Sequence, residues 1–207
     1  MFKILLSLAF ASAALGQFKA APAGAPPSEL APEVAATLQK DGTKILNSDG
    51  SVNCEIWLRT GAPAAGKAAE DNATITTVAH GSLMGAIRFP VKGSDRRGQP
   101  IKGGVYTLRL SFHPTNGDHQ GVAPQRDFLL MTPADADKDP NSTPKFDELV
   151  AMSRKASGTP HPAVLSLLKV DADFKPGFAK MGDNDWVLQT KIADVQVAII
   201  LIGKAEG

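Results

Sequence analysis

The stretch "GVYTLRLSF", Gly104 to Phe112, puts Tyr106, Leu108, Leu110 and Phe112 at every second position and Thr107, Arg109 and Ser111 between them. A period of two fits an extended strand, because a helix would scatter those four apolar side chains around its axis. Strict alternation predicts a sheet with one face in the core and the other in water. Similar strand-length segments lie near 43–47, 51–59, 73–79, 83–89, 126–132, 163–170, 185–192 and 194–203, punctuated by Gly, Pro, Asn and Asp. "NSDGS" at 47–51 carries an Asp-Gly turn and predicts a hairpin between the first two. "DVQVAIILIGK" is apolar on both faces from Val197 to Ile202, which predicts a central strand covered on both sides. That run is too short to cross a membrane.

One segment has a helical period instead. "STPKFDELVAMSRKASG" offers Thr143 as N-cap, Pro144 at the first helical position and a stripe of Phe146, Leu149 and Val150. Arg154 and Lys155 suit the negative end of the helix dipole, and Gly158 stops it. The expected architecture is all-β: an antiparallel sandwich of about nine strands with one inserted helix over 144–156.

"MFKILLSLAFASAALG" has one early cation, Lys3, an apolar run and small residues at Ala14 and Gly16, which predicts a signal peptide over 1–16 and an extracytoplasmic destination, periplasmic or secreted. Residues 17–37 are rich in Ala and Pro without a repeating apolar face, and read as a linker ahead of a single domain over 38–207. Without Lys3 the chain holds 21 basic and 21 acidic residues, so it lacks the excess cation that nucleic acid or anionic lipid attracts. After signal removal no membrane span is expected. Cys54 is the one cysteine and cannot form an internal disulfide; its alternating run puts it on the apolar side, as a buried thiol.

"DRRGQPIKGGVYTLRL", "GDHQGVAPQRDFLLMTPADAD" and "SGTPHPAVLSL" together resemble a group of exported bacterial proteins of unknown function. The "GGVYTLRL" element is also similar to a strand of transthyretin-like and related β-sandwich modules. The resemblance covers roughly residues 50–170. It implies the compartment and the sandwich, and brings no functional residues with it.

Several motifs fall short of chemistry. "GAPAAGKA" at 61–68 has P-loop spacing, but Ala68 stands where magnesium needs a hydroxyl and no helical face follows. "DADKDPN" at 135–141 starts like a calcium loop, but Pro140 takes the place of the turn glycine and Phe146 that of the bidentate glutamate. Its carboxylates read as a solvated approach to the helix. "HGSLMG" at 80–85 lacks the nucleophile elbow of a serine hydrolase.

"FHPTNGDHQGVAPQRDF", Phe112 to Phe128, is the richest in polar groups, and a long loop from His113 to Gln125 is expected there at one end of the sandwich. In a tight hairpin about Asn116 and Gly117, His113 and His119 would point to opposite faces; in a loop folded over itself, His113, Asp118 and His119 would converge on zinc or copper, with His80 or His161 as a fourth ligand. Asp127, beside Phe128, needs a partner if it is desolvated. Trp57 falls with Glu55 and Arg59 on the face away from the core, where it would stack on a sugar or clamp a partner unless the helix or the Ala/Pro-rich segment covers it.

The chain is therefore expected to be an exported, non-catalytic binding or accessory module, with recognition on the 113–127 loop through His113, Asp118, His119 and Arg126, and with Trp57 as a further contact. Its partner would be a small molecule, a sugar or a protein, with no cofactor required. A zinc- or copper-dependent enzyme using His113, Asp118 and His119 is the alternative, and a structural envelope component is a third.

Overall fold

The computed structural model describes residues 18–63, 73–113, 125–170, 174–192 and 195–205. In chain order the elements are β1 (Lys19–Gly24), α1 (Pro32–Ala35), β2 (Gly42–Leu46), β3 (Val52–Leu58), β4 (Leu83–Phe89), β5 (Gly93–Ser94), β6 (Pro100–Ile101), β7 (Gly104–Phe112), β8 (Asp127–Pro133), α2 (Phe146–Ser157), β9 (Val164–Lys169), β10 (Gly177–Met181), β11 (Asp185–Ile192) and β12 (Val195–Ile202). Ten strands form one antiparallel sheet in the order β1-β2-β3-β4-β7-β8-β9-β12-β11-β10, and β5 pairs with β6 apart from it. The all-β antiparallel class with one long helix is as expected. The two walls belong to one sheet that curls until it nearly closes into a barrel. Its ends meet through aromatic rings: Phe18, just before β1, lies edge-on to Trp186 of β11 at 5.5 Å, and Phe178 of β10 stacks on Trp186 at 5.6 Å.

The inner face carries the main core. Tyr106, Leu108, Leu110 and Phe112 of β7 pack there with Ile56 and Leu58 of β3 and with Val197, Ile199 and Leu201 of β12. Cys54 joins them, and burial pushes its thiol up to about 12, so it stays protonated at neutral pH. β12 sits between β9 and β11 and also fills an outer cluster through Ala198 and Ile200, as its two apolar faces predicted. The Asp-Gly hairpin joins β2 to β3, with Asn47 N–H donating to Ser51 O at 2.8 Å and Gly50 at a φ of 85°.

Several expectations are revised. The outer face of β7 does not meet water: Thr107, Arg109 and Ser111 are all buried, because a second layer packs over it. The Ala/Pro-rich segment is part of that layer rather than a tether. Its β1 pairs with β2 at the sheet edge, and Leu30, Val34 and Leu38 bury against Trp57, Leu83 and Ala86. The 73–79 segment forms no regular strand, although Ile75 and Val78 reach the core. α2 begins two residues later than expected, with Lys145 as N-cap; the Lys145 N–H donates to Glu148 Oε2 at 2.9 Å, and Gly158 ends the helix in the left-handed region.

The acidic 135–141 stretch is not a solvated approach to α2. Asp137 is buried and bonds Arg109 in a bidentate pair, Nε to Oδ2 at 2.7 Å and Nη2 to Oδ1 at 2.6 Å, while Thr107 Oγ1 donates to the same carboxylate. Arg109 also donates to Gly81 O, Asp139 O and Ser142 O, which folds the 137–142 segment down onto the sheet.

Candidate functional site

α2 lies on the outer face of β8 and β9, where Leu149 buries against Phe128, Leu130 and Val164. The adjoining helical stripe is Phe146, Val150 and Arg154, spaced by four and so aligned along one side. Between that stripe and the sheet runs a cleft of about 290 Å³, with His113, Phe128 and Val164 across from the helix and the Pro160–Pro162 turn with Arg97 at one end. Two clefts of similar size elsewhere, beside Phe89 and Lys92 and beside Thr74 and Lys169, have neither histidine nor arginine in their walls.

Each wall is fixed by bonds of its own. His113 follows β7 directly; its N–H donates to Arg126 O at 2.9 Å and its carbonyl accepts from Arg126 Nε at 2.6 Å, extending the β7–β8 ladder past Phe112 and Asp127. Its imidazole stacks on Phe128 with ring centroids 4.3 Å apart. The turn is held by Ser157 Oγ donating to His161 O at 2.6 Å, Arg154 Nε to Pro160 O at 2.8 Å and Arg97 Nη2 to Pro162 O at 2.8 Å. Arg97 is also paired with Asp95, Nη2 to Oδ2 at 2.7 Å, so its charge is met. Arg154 has no carboxylate within ion-pair distance among the described residues. Among the described residues no Asp or Glu lines the cleft, and its charged side chains there are Arg97 and Arg154.

Of the residues singled out in the sequence, His113 stands in the cleft wall. Arg126 is its ladder neighbour and lies 6.0 Å from the Phe112 ring centroid, outside the lining. Asp118 and His119 lie outside the described residues, as do 1–16 and most of the P-loop-like stretch. Among the described residues no three His, Cys, Asp or Glu gather as metal ligands. Trp57 is no contact residue: it is 1% exposed and its Nε1–H donates to Gly24 O at 2.7 Å, under the segment that covers it. His80 bonds Ser111 through Nε2 and Oγ at 3.1 Å; its ring centroid lies 6.4 Å from that of Phe146, but it is not itself in the cleft lining.

Sequence reasoning missed the cleft's helical wall. In the sequence Arg154 suits the helix dipole and Phe146 belongs to the apolar stripe, while their spacing with Val150 marks one side of the helix.

Asp127 has the partner that its burial demands. Its carboxylate accepts from Thr74 N–H at 2.9 Å and Ile75 N–H at 2.8 Å, tying the irregular 73–79 segment to the start of β8. In Asp127→Asn one of these donors meets an amide NH₂ instead of an oxygen, and the charge that strengthens both bonds is lost. The variant is expected to lose about 1.5–3 kcal/mol, read as a lower urea midpoint with an unchanged slope.

No protein-family model, curated protein or solved structure matches the chain. The likeness to transthyretin-like modules therefore rests on the sequence motifs alone. Among the described residues no helix is long and apolar enough to cross a membrane.

Proposed function

We propose that the chain is an exported, non-catalytic binding module that holds a small ligand in the cleft between α2 and the β8–β9 face, at the base of the 113–127 segment. The observation that carries this reading is the cleft itself: its walls are held by bonds among themselves, yet Phe146 stands 38% exposed at its edge. Apolar surface left in water beside fixed polar groups is the usual signature of a ligand site. Export rests on the N-terminal apolar run and its small-residue end.

Val150→Trp is the test, because an indole at the middle of the helical wall fills the cleft from a half-buried position. Saturation-transfer NMR with a fragment library is expected to detect binders of the native chain and to lose them in the variant, with the circular-dichroism spectrum unchanged. Failure of every fragment to bind, or binding that survives Val150→Trp, overturns the assignment of the cleft.

A further inference from the structure

We infer that the cleft selects small monocarboxylates with a flat apolar body. The inference rests on the binding reading above and adds the ligand's chemical class. Size sets the first limit: at ~30 Å³ per water, 290 Å³ corresponds to roughly ten non-hydrogen atoms. Charge sets the second. A ligand cation would meet Arg97 and Arg154 with no carboxylate among the described lining residues to receive it. A ligand anion finds Arg154, whose Nε is anchored on Pro160 O while the rest of its guanidinium fork has no acidic partner among the described residues. Such a fork matches a carboxylate in two parallel hydrogen bonds. One unmatched arginine suits one negative charge, since Arg97 is already neutralised by Asp95.

The walls decide the body. Phe146, Val150, Phe128, Val164, Pro160 and Pro162 supply apolar surface, and the face of the His113 ring is set by its stack on Phe128. Among the described residues no Ser, Thr, Asn, Gln, Asp or Glu side chain lines the cleft, so the several hydroxyl donors of a sugar would find no side-chain oxygen to accept them. A planar ring between Phe146 and the His113 side buries its faces at no such penalty.

Calorimetry with phenylacetate and its neutral counterpart phenylacetamide separates the parts of the claim. The native chain is expected to bind phenylacetate ten- to a hundredfold more tightly than phenylacetamide, as one charge-assisted pair implies. Arg154→Gln removes that preference, and Arg154→Lys, which keeps the charge but not the fork, retains part of it. Arg154 is exposed on the last turn of α2, so both variants are expected to keep the native circular-dichroism spectrum. Equal affinity for acid and amide, or a preference that survives Arg154→Gln, overturns the carboxylate inference and leaves a binding cleft standing. Library fragments that bind where neither probe does overturn the ligand class alone. A library with no binder at all overturns the binding reading.

Discussion

Asp137→Ala is expected to destabilise the chain by about 3–5 kcal/mol, the usual cost of removing one partner from a buried ion pair. Arg109 is fully buried, so its charge cannot turn to water when the carboxylate goes. A second cation worsens the position: Arg59 is also buried, donates Nη1 to Pro140 O at 2.8 Å and has no partner for Nε among the described residues. Burial, and then the charge of Arg109, already pull the Arg59 guanidinium below its ordinary pKa, and Asp137 is the carboxylate that pairs with Arg109 beside it. The double variant Arg109→Met, Asp137→Leu removes the ion pair and leaves apolar side chains in its place. It is expected to recover part of the loss, because the buried charge is gone, but not all of it, because Gly81 O, Asp139 O and Ser142 O lose their donor. Urea unfolding of the single variants Arg109→Met and Asp137→Leu and of the double closes the cycle. A single-variant loss under about 1 kcal/mol would mean the pair is solvated.

That buried pair also shows where sequence periodicity stops. Alternation placed Arg109 opposite Leu108 and Leu110, and that parity is right, but alternation reports which face a side chain takes and not what covers the face. The cover comes from Asp137, 28 residues away, at a spacing no local pattern encodes. β12 was legible because both its faces are apolar, and β7 because its four core residues are large. β1 was hidden by its composition: Ala and Pro have little strand propensity, and Pro22 is accepted there because the strand lies at the sheet edge, next to a register shift. "TITTV" at 74–78 has strand-like composition, yet the buried Asp127 carboxylate takes two of the segment's N–H groups, and a polar capture of that kind outweighs propensity. The cleft was half legible. Phe146, Val150 and Arg154 can be read from helical spacing, whereas His113 and His161 meet them only through the β7–β8 ladder and the Pro160–Pro162 turn.

Trp57→Ala tests the same outer layer from its other end, and is expected to cost about 3–5 kcal/mol, as large-to-small changes of buried aromatic residues do. At roughly 2–4 °C per kcal/mol for a chain of this size, the melting temperature falls by roughly 10 °C. The indole is packed among Leu30, Val34, Leu38, Leu83 and Ala86, and Gly42 comes so near that a Cβ there would stand 2.5 Å from the indole Cδ1. Removing it therefore leaves a cavity shared between the sheet and the 24–38 segment, and also leaves Gly24 O without its donor. Trp57→Phe keeps most of the volume and loses only the hydrogen bond, so about 1 kcal/mol is expected from it. Hydrogen exchange locates the damage. In the alanine variant the Gln39 N–H, bonded to Leu58 O at 2.9 Å, and the Thr60 N–H, bonded to Thr37 O at 3.0 Å, should lose protection before the amides of β7 do. Uniform loss across the sheet would mean that the segment is no separate cover but part of the cooperative core. An unchanged melting temperature would mean that Trp57 is free for the contact role its sequence position first suggested, and that the Ala/Pro-rich stretch is a tether after all.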